Sequence, residues 1–220
     1  MEGMSDVLVD GNGEALAGYF VGGRPPSVFL LHDIFGLTNQ IRGVARRFAS
    51  EGYTVFAPDL FGRTTDDEAR GSTMAQTIIW KRTLEQLRVS LAALVAQAKG
   101  AKVAVIGFGF GGAMALATAA NLPDVAACVT FYGIPTVDKG DLLRITAKVQ
   151  GHFANQDKKF TRDRVDALEA KLKGASISVE LFRYHTGHYF FNEMRKATHS
   201  PHNTALAYQR TVAFLKRELG

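Results

Sequence analysis

One cysteine, Cys128, stands among 220 residues. It leaves no partner for an intramolecular disulfide and rules out two-cysteine metal motifs. No apolar run reaches the roughly 20 residues needed to cross a bilayer. The opening stretch, MEGMSDVLVDGNGE, is acidic and lacks the apolar core of a signal peptide. The expectation is a soluble, cytoplasmic protein without membrane attachment. An excess of one charge is also small: Lys and Arg number 26 against 21 Asp and Glu. The basic residues are scattered in pairs such as Arg46-Arg47 and Lys158-Lys159, and no stripe of them alternates with stacking aromatics. That argues against nucleic acid as a partner, while a mild positive field suits an anionic small molecule. His152, His185, His199 and His202 fall in no metal-ligand spacing. Nothing in the sequence calls for a metal or cofactor.

Hydrophobic residues make up 46% of the chain, enough for a sizeable core in one domain spanning residues 1–220. Short β-rich runs alternate with helical patterns. Val7-Leu8-Val9 and Ala15 to Val21, with Asp10 to Gly13 between them, read as a hairpin. Ser27 to Leu31 is a continuous apolar run of the kind buried on both faces. A helix follows over 38–51, a strand over 53–57, and a polar loop over 62–72. A long helix is expected over 73–98, since Ile78, Leu84, Leu87, Leu91 and Leu94 recur at helical spacing. Strands at 102–106, 125–131, 146–153 and 177–182 then alternate with helices at 110–121, 161–173 and 203–217. Such alternation predicts an α/β fold, a mostly parallel twisted sheet with helices on both faces. Ligands of such sheets bind at the carboxyl ends of the strands. The informative residues are therefore those just after Leu31, Ile106, Phe153 and Phe182.

After Ile106 the chain reads Gly107-Phe108-Gly109-Phe110-Gly111-Gly112. This has the shape of a nucleophile elbow, G-x-S-x-G or G-x-C-x-G, with glycine where the attacking side chain belongs. A dinucleotide-binding turn is the rival reading, but the spacing is not G-x-G-x-x-G and Asp124 precedes a strand instead of ending one. After Leu31 comes His32-Asp33-Ile34-Phe35-Gly36. A tight loop there would supply one oxyanion donor, the Ile34 amide, to pair with the Phe110 amide. Asp157 follows the strand ending at Phe153, and His188 follows the one ending at Phe182. Nucleophile position, acid and histidine thus occur in the chain order of α/β-hydrolases. A carboxylate on one imidazole nitrogen fixes the tautomer and frees the other nitrogen as a base. Cys128, inside AACVTFY, reads as a buried structural thiol and not as a displaced nucleophile.

These motifs together resemble the dienelactone hydrolase family, a branch of the α/β-hydrolase fold. HDIFGLTNQIRGVARRFASEGYTVFAPDLFGR is similar to the stretch around that family's E-I-F-G loop, and VAVIGFGFGG to its elbow, G-x-C-x-G-G. GHFANQD resembles its acid loop, YHTGHYFF its histidine loop and AYQRTVAFL its closing helix. The resemblance implies that Asp157 and His188 are the acid and base and that Ile34 and Phe110 donate to the oxyanion. It sets Asp33 where the family has a glutamate holding the proton of its resting cysteine, and Gly109 where it has that cysteine. The family's arginine for a substrate carboxylate, four residues past the histidine, is replaced by Asn192, with Arg195 one turn on.

Three readings follow. In the first, His188 and Asp157 act on water, or on a substrate proton in isomerisation, elimination or cyclisation, of a small ester, lactone or polyketide-like carbonyl compound. Phe35, Trp80, Tyr189 and Arg195 are its candidate substrate-binding residues, although core packing is the alternative for the aromatics, Phe108, Phe110 and Phe190 included. In the second, the chain is a nucleophile-knockout form of a cysteine-dependent esterase or lactonase. In the third, it is a binding protein on a hydrolase scaffold. A small-molecule partner and a monomer or homodimer are expected in each.

Overall fold

The computed structural model describes residues 5–8, 16–97, 101–136 and 141–220. Eight strands form one sheet: β1 (Ser5–Leu8), β2 (Ala17–Val21), β3 (Ser27–Leu31), β4 (Thr54–Pro58), β5 (Val103–Phe108), β6 (Val125–Phe131), β7 (Lys148–Ala154) and β8 (Val179–Tyr184). Their spatial order is β1-β2-β4-β3-β5-β6-β7-β8. The β1–β2 and β2–β4 pairs are antiparallel and the others parallel. The expected hairpin is present as β1 and β2, and its turn over 10–13 lies outside the described residues.

Strand periodicity divides the interior into two layers. Val28 and Leu30 of β3, with Ala104 and Ile106 of β5, face helices α1 (Asn39–Ser50) and α6 (Pro201–Leu219). Phe29 and Leu31, with Val103 and Val105, face α3 (Trp80–Gln97), α4 (Phe110–Asn121) and α5 (Arg162–Gly174). Successive side chains of a strand point to opposite faces, so a run apolar at every position needs cover on both. The helices supply it with single apolar stripes: Ile41, Val44, Ala45 and Phe48 on α1, and Val165, Leu168 and Leu172 on α5.

Two expectations are corrected here. Residues 68–72 are not loop but the start of a helix, α2 (Glu68–Gln76), and the single helix expected over 73–98 is split between the end of α2 and α3. Asp67 caps α2 by accepting a hydrogen bond from the Arg70 amide at 2.7 Å, and Glu68 sits in the first turn, where a negative charge favours the helix. The break falls on Thr77-Ile78-Ile79, where the Thr77 hydroxyl donates to the Met74 carbonyl at 2.7 Å. Branched residues lose rotamer freedom in a helix, and Ile79 is left exposed. The helical spacing of Ile78 with the later leucines masked this break.

From β3 the chain turns one way to β4 and then returns past β3 to β5. The reversal opens a crevice at the carboxyl ends of β3 and β5, the usual ligand position in such sheets. His32-Asp33-Ile34 and the elbow at Gly109 both lie there.

Candidate active site

The elbow joins β5 to α4 with almost no room. A Cβ added at Gly107 would stand 1.9 Å from the Gly111 carbonyl oxygen, and one at Gly111 would stand 2.3 Å from the His32 and Leu31 carbonyl oxygens. Real Cβ atoms do not approach backbone so closely, so these glycines are dictated by packing. Gly109 differs. A Cβ there meets only Asp33 Cβ at 3.6 Å, Tyr132 Cε2 at 3.8 Å and Tyr189 Cε1 at 3.8 Å, all ordinary contacts. Only its backbone, at φ 53° and ψ −112°, is unusual for an L-residue. The scaffold is therefore shaped to carry a side chain at position 109, in the strained conformation typical of an elbow. Gly107→Ala is expected to cost about 3 kcal/mol or more by urea denaturation, since backbone must move. Gly109→Ala should cost less, about 1–3 kcal/mol of torsional strain.

Asp157 and His188 meet as the chain order requires. Nδ1 of His188 lies 2.5 Å from Oδ2 of Asp157. The other carboxylate oxygen, Oδ1, accepts from the amides of Lys159 at 2.7 Å and Phe160 at 3.0 Å. Burial opposes the charge of Asp157, but the hydrogen bond and charge of His188 and the two amides outweigh it, and the pKa is lowered. The carboxylate stays ionised and braces the ring. The His188 ring also packs 5.2 Å from the ring of Tyr132 and 4.0 Å from that of Tyr189. These are the two rings that flank the Cβ position of Gly109.

The Ile34 and Phe110 amides have no acceptor among the described residues. Phe110 opens α4, where the first N–H groups lack helical partners. Both residues line, with Gly109, a cavity of about 490 Å³. The Ile34 loop is clamped from behind. The Leu60 amide donates to Nε2 of His32 at 3.0 Å, so Nδ1 carries the proton and donates to the Asp33 carbonyl at 2.7 Å. Burial lowers the His32 pKa, more than Asp33 and Asp59 raise it, and keeps the ring neutral. In front, Gly71 lets α2 approach: a Cβ there would meet the Ile34 carbonyl oxygen at 2.6 Å.

Asp33 is 1% exposed. Its Oδ1 accepts from the Phe35 amide at 2.9 Å and its Oδ2 from Asn192 Nδ2 at 3.0 Å. Burial raises its pKa to about 6, against the pull of these bonds and of Arg195. A carboxylate so raised contributes stability that is complete below its ordinary 3.8 and is lost as pH rises through about 6. The loss amounts to about 3 kcal/mol. Asp33→Asn removes the titration, so thermal melts across that window should show the parent falling relative to the variant.

The structure separates some residues that the sequence groups together. Phe35 and Arg195 line a second cavity of about 750 Å³, with Asn192. There the Arg195 guanidinium lies 3.6 Å from the Phe35 ring centre and donates to the Asp66 carbonyl. Tyr189, at φ 63°, packs its ring 5.3 Å from that of Phe35, and its hydroxyl donates to Glu68 Oε1 at 3.4 Å. Trp80 packs against the core layer beneath α3 and is not in the wall that holds Gly109. Phe108 and Phe190 are buried in the core. Among the described residues no helix is long and apolar enough to cross a membrane, and no cluster of His, Cys, Asp or Glu could hold a metal ion.

Sequence reading missed other parts. Tyr132, at φ 39°, immediately follows β6, so the strand-end rule would have found it had Phe131 been treated like Phe153. Lys159, Phe160 and Arg164 follow the acid and line the Gly109 cavity, as do Ser72, Ala75 and Gln76 of α2.

The model of the dienelactone hydrolase family matches residues 15–219. The chain belongs to the dienelactone hydrolase family. It is 30% identical to Protein usf of Aquifex pyrophilus over 224 residues, covering 94% of this chain and 96% of that one. Among solved structures it resembles a dienelactone hydrolase-like promiscuous phosphotriesterase from metagenomic libraries, with a TM-score of 0.81, 23% identity and 93% of each chain covered. Esterase PE8 is similar at a TM-score of 0.70 and 20% identity, covering 93% of this chain and all of the other. The fold is that of the α/β-hydrolases.

Proposed function

We propose that this family member is an enzyme that adds water directly to a small ester or lactone. The observation that carries the reading is the His188–Asp157 pair, packed on the same two rings that flank position 109. With no nucleophile to activate, the imidazole Nε2 takes a proton from water. The water oxygen bonds to the carbonyl carbon, and the carbonyl oxygen becomes an oxyanion facing the amides of Ile34 and Phe110. Collapse breaks the bond to the leaving oxygen, which receives the proton from His188. The ester becomes an acid and an alcohol, and a lactone becomes a hydroxy acid. Two structural relatives carry names, esterase and phosphotriesterase, that denote ester cleavage.

A second reading rests on Asp33. It is a second carboxyl group at the face of Gly109, raised to about 6 by burial. Paired with His188 it could pass a proton from one carbon of a bound carbonyl compound to another, with no net hydrolysis. Assay of the parent chain with p-nitrophenyl esters and small lactones tests the first reading: hydrolysis that His188→Ala abolishes supports it. Hydrolysis indifferent to His188, or none in any substrate, overturns it. Deuterium exchange into a bound carbonyl compound without cleavage is the signature of the second.

A further inference from the structure

The wall of the Gly109 cavity is apolar for most of its extent, with Ile34, Phe110, Met114 and Ile134 among its residues. Its charged side chains are Lys159 and Arg164, and no carboxylate is present in it. Neither cation has an ion-pair partner among the described residues. Arg164 is held in place by its donation to the Lys159 carbonyl at 2.6 Å. The Arg164 guanidinium lies 5.1 Å and the Lys159 ammonium 5.7 Å from the centre of the Phe160 ring. That ring in turn lies 5.8 Å from the ring of His188. Two cations thus lie near one aromatic ring that neighbours the imidazole, on the side of the cavity formed by the acid loop and the start of α5.

A positive wall without compensating acids favours an anion, and because both cations are exposed the attraction is screened by salt. Asn192 and Arg195 cannot take this part, because both line the other cavity and Arg195 is committed to Phe35 and Asp66. We infer that Lys159 and Arg164 are the specificity-determining residues of this site, and that they select an ester or lactone with an apolar body and an anionic group, carboxylate or phosphate, on the His188 side. The inference rests on the proposed function for the chemistry of the bond cleaved, but not for the binding of the anion.

Two measurements on the full chain keep those apart. In the first, binding of 4-phenylbutyrate, its neutral amide and phenyl phosphate is followed by NMR titration. The anions should bind at least about tenfold tighter than the amide at low salt and weaken as salt is added. The preference should vanish in Lys159→Gln/Arg164→Gln and persist in Lys148→Gln/Lys158→Gln, which removes equal charge from two exposed sites outside the cavity wall. Whether the carboxylate or the phosphate binds tighter names the source of the anion. In the second, kcat/KM is compared for the p-nitrophenyl monoester of glutaric acid and for p-nitrophenyl butyrate. The monoester should be favoured by about tenfold in the parent and not in the double variant. Equal binding of acid and amide, or a preference that survives the double substitution, overturns the inference. Anion-selective binding without hydrolysis of either ester would uphold it while the hydrolytic reading fails.

Discussion

Gly109→Cys is expected to release a burst of p-nitrophenol approaching one equivalent per site, which the parent lacks. The scaffold around position 109 admits the new side chain at ordinary contact distances, the nearest atom being Asp33 Cβ at 3.6 Å from the added Cβ. The thiol would stand at the start of α4, where the helix dipole favours a thiolate. His188, braced by Asp157, would be its base. Sulfur would bond to the carbonyl carbon and expel p-nitrophenolate, and the oxyanion would form at the Ile34 and Phe110 amides. Water would then cleave the thioester. The gain has a structural cost: φ 53° with ψ −112° is poor for any residue with a Cβ, so the variant should lose about 1–3 kcal/mol of stability and melt lower than the parent. A correctly folded variant with a titratable thiol and no burst would show that the two amides or the imidazole do not reach a carbonyl placed there.

His188→Ala should lower hydrolysis by the parent by about 10²- to 10⁴-fold in kcat, the contribution of a placed general base. KM should change little if the imidazole acts on water and not on the bound ground state. Asp157→Asn should fall nearly as far for a different reason. Its amide nitrogen could turn toward Nδ1 and favour the tautomer that has its proton on Nε2, the nitrogen needed free to accept. Asp157 adds a test on stability. Its folded pKa is lowered, so its contribution is present above the ordinary carboxylate pKa and is lost as pH falls through the lower folded value. The Asn variant should therefore lack that part of the acid sensitivity of the melting curve.

The site was most readable where covalent geometry leaves few choices. A β-branched run ending in alternate glycines permits few backbones, and Gly107 and Gly111 are pinned by contacts under 2.5 Å that any side chain would violate. Asp157 and His188 were readable because each follows an apolar strand that must be buried, which places it at a sheet edge. α2 was hidden because EARGSTMAQ has hardly any apolar stripe; its helix depends on the Asp67 cap and on packing over Ile34. The separation of Phe35 from Ile34 could not be seen either. Adjacent residues in a tight loop point in different directions, and only the fold decides that Ile34 lines one cavity while Phe35 lines another. Trp80 shows the same limit: an aromatic near the start of a helix can serve a core as well as a ligand. Lys159 and Arg164 are charges on an exposed loop and helix, and composition cannot distinguish such charges from the solvated majority.

The His32 tether has a practical consequence. Its imidazole spans Asp33 and Leu60 with one proton, and desolvation keeps a second from binding. Mild acid that would charge an ordinary surface histidine leaves this strut unaltered. A catalytic rate that declines on gentle acidification would accordingly report on groups facing the substrate, because the frame that aims the Ile34 amide has not come loose.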